Sequence, residues 1–352
     1  MHWNPAFWAA LAFTSLFMAA PSSAEAAPRL AFAVIGDSDS HGYQDGVAFP
    51  SGSPARGGRF HAGTLQWTEV LQRLRGGEID LGERVTFGTS GRLSRLLESV
   101  GVDARSPRKQ DHRHNFAYSG DGCNDLWEGN RQVPRLLRLM KAEPAVWQHG
   151  AVLIRIGVND FGKAAQLDLL ARDPAAAPVR ASIDACLAGL TQAVSAIRRE
   201  QPRTFIVLVG IFNNVHWSNY ANRWQSAESQ ARITEGLERF NAGLKRLVAA
   251  DRQLAFFDDQ AWFAALWGGR APDGKPAYRP LQLGPGLLVT NTSGDHPSNA
   301  TLADGHAGTA WNAKWAQALV KRLDDSFGVG ITPITDDEVR QLVAPSGRWS
   351  AP

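Results

Sequence analysis

The chain has 352 residues, 44% of them hydrophobic and 20% charged. That is enough to bury a full core, and it excludes the disordered, collagen-like and coiled-coil classes. Lysine and arginine number 37 against 34 acidic residues, giving a net charge of +3 and a pI near 9.0. The charges are scattered with no long Lys/Arg run, so nucleic acid is not expected as a partner.

From the N-terminus, Ala6 to Ala20 form an uncharged apolar run of signal-peptide length, followed by Pro21 and a small-residue stretch. The run is too short to span a bilayer comfortably. Cleavage after Ala24 or Ala26 is expected, and the later cut removes Glu25, raising the net charge to +4 from +3. The region before the run carries only the free amine and His2 where a Lys or Arg is usual, so a retained anchor is the alternative. No other apolar segment is long enough to cross a membrane, and no stable insertion is expected after signal removal. Export places the two cysteines, Cys123 and Cys186, where a disulfide survives; spacing alone leaves open whether they pair.

Leu30 to Ile35 is an apolar run ending at Gly36, a buried strand that opens into a loop. Asp45 to Gly63 is rich in Gly, Pro, Ser and Arg. From Thr64 the sequence TLQWTEVLQRL predicts a helix with Leu65, Val70, Leu71 and Leu74 on one face, closed at Gly76-Gly77. Gly88 to His114 is polar and Arg-rich and gives no clear element. Ala151 to Ile156 is a second strand ending in a glycine. Ile183, Leu187, Leu190, Val194 and Ile197 step at the amphipathic helix period, and Pro202 closes that helix. Thr204 to Phe212 is a continuous apolar run, as in a strand covered on both faces. Ile233, Leu237, Phe240, Leu244 and Leu247 mark another helix, Leu254 to Phe257 a last strand, and Trp315, Leu319 and Leu323 a final helix. The tail from Asp324 is polar and is expected to wrap the surface or fray. Such strands alternating with amphipathic helices predict an α/β domain, a parallel sheet with helices on both faces and the site beyond its carboxyl ends.

Four segments concentrate reactive residues: VIGDSDSHGYQD (Val34 to Asp45), NFAYSGDGCND (Asn115 to Asp125), IRIGVNDFG (Ile154 to Gly162) and LADGHAGTAWNAKWA (Leu302 to Ala316). In this order they resemble the blocks of the SGNH/GDSL hydrolase family over roughly Leu30 to Leu323. The resemblance implies a three-layer α/β/α, flavodoxin-like fold over residues 27–325, after a signal peptide at 1–26 and before a C-terminal extension at 326–352. A serine hydroxyl needs a base, and the base needs an orienting partner. Ser38, at the mouth of the first strand, is placed to attack, and His306 is the natural base. The resemblance implies an oxyanion hole from the Ser38 N–H, the Gly120 N–H and the Asn159 side chain. Asp160 is expected to order its loop rather than react.

The last block departs from the family pattern, which usually sets an Asp three residues before the His. Here Ala303 holds that position and Asp304 lies two before His306. In an extended segment residues two apart point the same way, so Asp304 is the expected acid. Asp295 and Asp258 are the substitutes, with a dyad lacking a strong acid also open, and His296 reads as a loop residue before Pro297. The first block adds Asp37, Asp39, His41 and Asp45, which invite a metal reading, but the further clusters that metallophosphoesterases need are missing in that order. Of the 12 tryptophans, Trp311 and Trp315 are expected to pack. Trp127, Trp217 and Trp224 lie in polar loop-like stretches and are candidates for substrate contact. N-x-[ST] sites at Asn291 and Asn299 matter only in a host that glycosylates exported proteins.

The expectation is an exported serine esterase that cleaves an acyl ester through an acyl-serine intermediate without a cofactor. Its preferred substrate is a small-molecule or polysaccharide ester, with a short chain such as a carbohydrate O-acetyl group. The alternatives are a non-catalytic polysaccharide-binding protein on the same fold and a metal-dependent phosphoesterase.

Overall fold

The computed structural model describes Met1, residues 29–102 and residues 104–344. The expected signal segment, apart from Met1, lies outside the described residues. The strands are β1 (Leu30–Gly36), β2 (Ile79–Asp80), β3 (Arg84–Phe87), β4 (Lys109–His112), β5 (Ala151–Arg155), β6 (Phe205–Val209), β7 (Leu254–Phe257), β8 (Leu281–Gly284), β9 (Leu287–Ser293) and β10 (Asn299–Thr301). The helices are α1 (Trp67–Arg75), α2 (Gly91–Ser99), α3 (Gln132–Ala142), α4 (Pro144–Trp147), α5 (Val158–Phe161), α6 (Ala164–Arg172), α7 (Ala177–Glu200), α8 (Ala227–Ala249), α9 (Asp259–Trp267), α10 (Thr309–Phe327) and α11 (Asp336–Val343).

Five strands pair in parallel in the order β2-β1-β5-β6-β7, the flavodoxin-like arrangement. Side chains alternate across the sheet as a pleated strand requires. Ala31, Ala33 and Ile35 of β1 enter a core with α3, α7 and α8, while Phe32 and Val34 enter a second core with α1, α9, α10 and α11. This is the expected three-layer α/β/α fold. The strand order reverses between β1 and β5, so their carboxyl ends flank the crevice where ligands bind in such sheets.

Several boundaries differ from the sequence reading. Helix α1 starts at Trp67, because Gln66 and Glu69 form a capping box, and Leu65 packs ahead of the helix. Leu254–Phe257 ends the parallel sheet but is not the last strand: β8, β9 and β10 form a small separate sheet. The Arg-rich stretch contains an antiparallel hairpin, β3 with β4, whose Lys109 and Asp111 are buried as an ion pair at 3.0 Å. Beyond residue 326, Ile331, Ile334, Val339 and Val343 are buried in the second core. That segment is pinned by Arg75, which donates to the Thr332 and Pro333 carbonyls and to both carboxylate oxygens of Glu338.

Cys123 and Cys186 are disulfide-bonded, with Cα atoms 5.2 Å apart and 63 positions apart in sequence. The bridge joins the turn at Cys123–Leu126 to α7, and closing so long a loop restricts the unfolded chain. Replacing both cysteines with serine is expected to lower stability by about 2–4 kcal/mol, read as a lower urea midpoint; an unchanged midpoint would contradict this.

Candidate active site

The site begins where β1 ends. Gly36 is held by the Gln132 amide, which accepts from Gly36 N–H at 2.9 Å and donates to its carbonyl at 2.8 Å. A Cβ at Gly36 would lie 2.6 Å from the Arg155 carbonyl of β5, so only glycine lets the two strand ends run this close. Asp37 is buried and its Oδ1 accepts the Asp39 N–H at 2.9 Å; burial, with Asp39 nearby, pushes its carboxyl well above the usual range. Ser38 follows and faces a cavity of about 230 Å³ that also takes in Asp39, Arg155, Asn159, Asp304 and His306.

Asn159 follows β5. It donates through Nδ2 to the Asp121 carbonyl at 2.7 Å, which orients the amide and leaves its second N–H for another acceptor. Gly120 has φ of 94°, left-handed backbone that favours glycine. The same loop is ordered by Asp160, whose Oδ2 accepts from the Cys123 N–H at 3.0 Å, and by Asp121, whose carboxylate accepts from Asn130 and Gln132, each at 2.6 Å. Gly120 itself is not part of the cavity wall.

His306 and Asp304 lie on a turn before α10. Asp304 reaches His306 through that turn, with Gly305 at φ 87°, rather than along the extended segment expected from sequence. Asp304 Oδ1 accepts from His306 N–H and faces His306 Nδ1, both at 3.1 Å. Its Oδ2 accepts from the Arg56 N–H at 2.9 Å and from Arg56 Nη1 at 2.6 Å. Burial alone would raise the Asp304 carboxyl, but the His306 hydrogen bond and the Arg56 charge outweigh it and hold the group well below the usual range. Among the described residues no hydrogen bond joins Ser38 to His306; such contacts commonly tighten only when substrate is bound.

The other candidates lie elsewhere. Asp295 accepts from the Ala303 N–H, Asp258 caps α9 and faces Lys245, and His296 bonds Ser298 in its own loop. Asp45 is committed to His41 and to the N–H groups of Val47, Ala48 and Gln110. Among the described residues no group of three or more His, Cys, Asp or Glu is arranged to hold a metal ion.

The tryptophans divide differently from expectation. Trp217 lines the cavity and donates to the Gly305 carbonyl at 2.7 Å, so it also braces the Asp304–His306 turn. Trp311 packs in the second core as expected and also forms part of the cavity wall, while Trp315 is buried against Trp67. Trp127 and Trp224 donate to Gly189 and Asp168 and do not line it. Phe212 and Tyr220 complete the aromatic wall. Sequence reasoning passed over both, and also Arg56 and Arg155. Of these, Arg155 sits at the end of a strand already recognised, so position was a usable signal for it.

The chain is similar to several solved structures. An extracellular lipase from Streptomyces rimosus is 18% identical, with 83% of this chain and 99% of that one covered and a TM-score of 0.42. A carbohydrate esterase family 2 enzyme from Corynascus thermopiles is 17% identical, covering 86% and 67%, with a TM-score of 0.37. Phospholipase A1 from Streptomyces albidoflavus is 16% identical, covering 68% and 83%, with a TM-score of 0.35. No curated protein is a significant match. The GDSL-like lipase/acylhydrolase family matches residues 32–262, which take in most of β1, Ser38 after it, the Gly120 loop and Asn159. The chain therefore belongs to the GDSL-like lipase/acylhydrolase family of serine ester hydrolases.

Proposed function

We propose that the chain is an exported esterase that cleaves a short acyl ester through an acyl-Ser38 intermediate. The observation that carries this reading is that Ser38, Asn159 and the hydrogen-bonded His306–Asp304 pair face one cavity. Ser38 Oγ attacks the ester carbonyl and His306 takes its proton at Nε2. Asp304 holds the Nδ1 side of the ring and balances the imidazolium. Charge on the carbonyl oxygen is met by the Ser38 N–H and the free Asn159 N–H at the cavity, with the Gly120 N–H, set behind the wall, as the third donor that the family pattern implies. The leaving alcohol takes its proton from His306, and water then releases the acid by the reverse proton path.

The small cavity supports a short acyl group. Its aromatic wall of Phe212, Trp217, Tyr220 and Trp311 supports a ring-bearing alcohol such as an O-acetylated sugar, whose apolar faces stack on aromatic side chains. The apolar N-terminal run supports export.

Hydrolysis of p-nitrophenyl acetate tests the reading. Ser38→Ala is expected to lose at least about 10³-fold in kcat, with a chelator leaving the wild type unchanged. Ser38→Ala retaining activity, or loss of turnover with the chelator, would overturn it. Asn159→Ala is expected to lose about 10²–10³-fold in kcat while remaining folded; a loss confined to KM would remove Asn159 from the oxyanion role.

The oxyanion loop also makes stability depend on pH. Burial, reinforced by Asp125, raises the Asp121 carboxyl from an ordinary 3.8 to about 7. The folded state therefore holds this proton more tightly than the unfolded chain, so the contribution is full below 3.8 and is lost as pH rises to about 7. Asp121→Asn is expected to flatten the fall in Tm across that window; an unchanged slope would contradict the assignment.

A further inference from the structure

Arg56 lies in the Gly/Pro/Ser-rich loop after β1, 248 positions before Asp304 in sequence. Its φ is 55°, a left-handed conformation that a non-glycine residue keeps only where its surroundings over-determine it. The side chain is 4% exposed, with the guanidinium 4.5 Å from the Phe49 ring centre and 5.3 Å from that of Tyr43. An arginine buried this way in a loop has its position set by the contacts it makes.

Those contacts reach both halves of the site. The Arg56 backbone N–H and Nη1 both donate to Asp304 Oδ2, at 2.9 and 2.6 Å. Nη1 also lies 2.7 Å from His306 Nδ1; with Nδ1 carrying the proton that faces Asp304 Oδ1, this is a close approach of two N–H groups and not a hydrogen bond. Nη2 donates to Ser119 Oγ at 3.1 Å, and Ser119 directly precedes Gly120. Ser119 is held from the other side by His41, whose Nδ1 accepts the Ser119 N–H at 3.2 Å and lies 3.0 Å from its hydroxyl. Because Nδ1 accepts a backbone N–H, the His41 ring proton sits on Nε2, which donates to Asp45 Oδ2 at 2.8 Å. His41 is buried, and burial pushes its pKa down, consistent with a neutral ring in that tautomer.

We infer that Arg56 is a positioning residue for the reaction proposed above, fixing Asp304 against His306 and tying that pair to the Ser119–Gly120 loop. The inference rests on that reading of the site. It also explains how an acid two residues before His306 can serve. The turn aims Oδ1 at the histidine but leaves Oδ2 without a partner from its own segment, and Arg56 supplies two donors to that oxygen. The planar fork then gives its second Nη to the oxyanion side, so the base and the carbonyl-binding groups keep one spacing. A lysine places one point charge and cannot meet Asp304 and Ser119 together.

The test measures kcat and KM on p-nitrophenyl acetate for Arg56→Met, Arg56→Lys and Asp304→Asn, and for each Arg56 change combined with Asp304→Asn. Arg56→Met is expected to lower kcat by about 10–100-fold with KM nearly unchanged, and Arg56→Lys to recover part of the loss. In the Asp304→Asn background either Arg56 change is expected to cost several-fold less than in the presence of Asp304, since the contact they share is already lost; the loss that remains passes through Ser119. Full kcat in Arg56→Met, or an equal fold-loss in both backgrounds, would overturn the inference. Should Arg56→Met fail to fold, the cycle built on Arg56→Lys, which retains the charge and most of the stem, decides the matter in the same way. Ser38→Ala, run alongside, separates the two levels. Activity there overturns the site reading itself, whereas an inactive Ser38→Ala with additive Arg56 losses overturns only the role of Arg56.

Discussion

The parallel pairing of β1 with β5 is the constraint on which the rest of the site depends. Five register pairs, from Phe32↔Ala151 to Gly36↔Arg155, bring the strand ends level, and the missing Cβ at Gly36 lets them approach. Ser38 then emerges from one strand and Asn159 from the other at the same edge of the sheet. Arg155, the last residue of β5, secures the junction. It donates to the Asp39 carbonyl at 3.1 Å and to Asp259 at 3.0 Å, and its guanidinium lies over the Trp315 ring. Asp259 in turn accepts from the Trp315 indole at 2.7 Å. The charge is therefore buried with a partner and with its hydrogen bonds met, the condition under which a buried ion pair is tolerated. The Ser38 loop is thus fixed by buried polar contacts at the strand ends and does not rely on surface contacts.

The other half of the site is assembled from loops and depends on specific polar contacts. The Asp304–His306 turn sits between β10 and α10, with Trp217 bracing Gly305 and Tyr43 donating to the Ala307 carbonyl at 2.9 Å. The Gly120 loop is held by Asp160, Asp121 and the Cys123–Cys186 bridge. These are single hydrogen bonds and one covalent staple rather than an apolar face, so each position depends on a few named atoms. Arg56 joins the two loop systems, because its guanidinium contacts Asp304 and Ser119 at once.

What could be read from sequence follows from this division. The strands at 30–36, 151–155, 205–209 and 254–257 were legible because burial on both faces demands continuous apolar runs. The helices α7 and α8 showed through their apolar period. The hairpin β3–β4 did not, because the β4 residues KQDH are polar; Lys109 and Asp111 are buried as a pair, and Asp111 also accepts from the distant Gly42 N–H. Strands β8 and β10 are short, and β9, though seven residues long with alternating burial, runs into the polar stretch 290–293. Ser38 and Asn159 could be placed because they follow legible strands, and His306 because its block could be recognised. The route from Asp304 to His306 is not legible, because Gly305, with φ at 87°, makes a turn where alternation along the sequence implies an extended segment. Arg56 left no local signal, since an arginine in a Gly/Pro/Ser stretch reads as solvent-exposed and its partners lie 63 and 248 positions away.

The central claim is that Ser38 is an activated nucleophile in a site already assembled by the fold. Labelling the protein with a fluorophosphonate and mapping the adduct by peptide mass spectrometry tests it most directly, because the probe reacts only with a serine whose proton a base can accept. The account predicts one stoichiometric adduct on the peptide containing Ser38, strongly slowed by His306→Ala. An esterase-active preparation with no adduct, or an adduct on another residue, would contradict it.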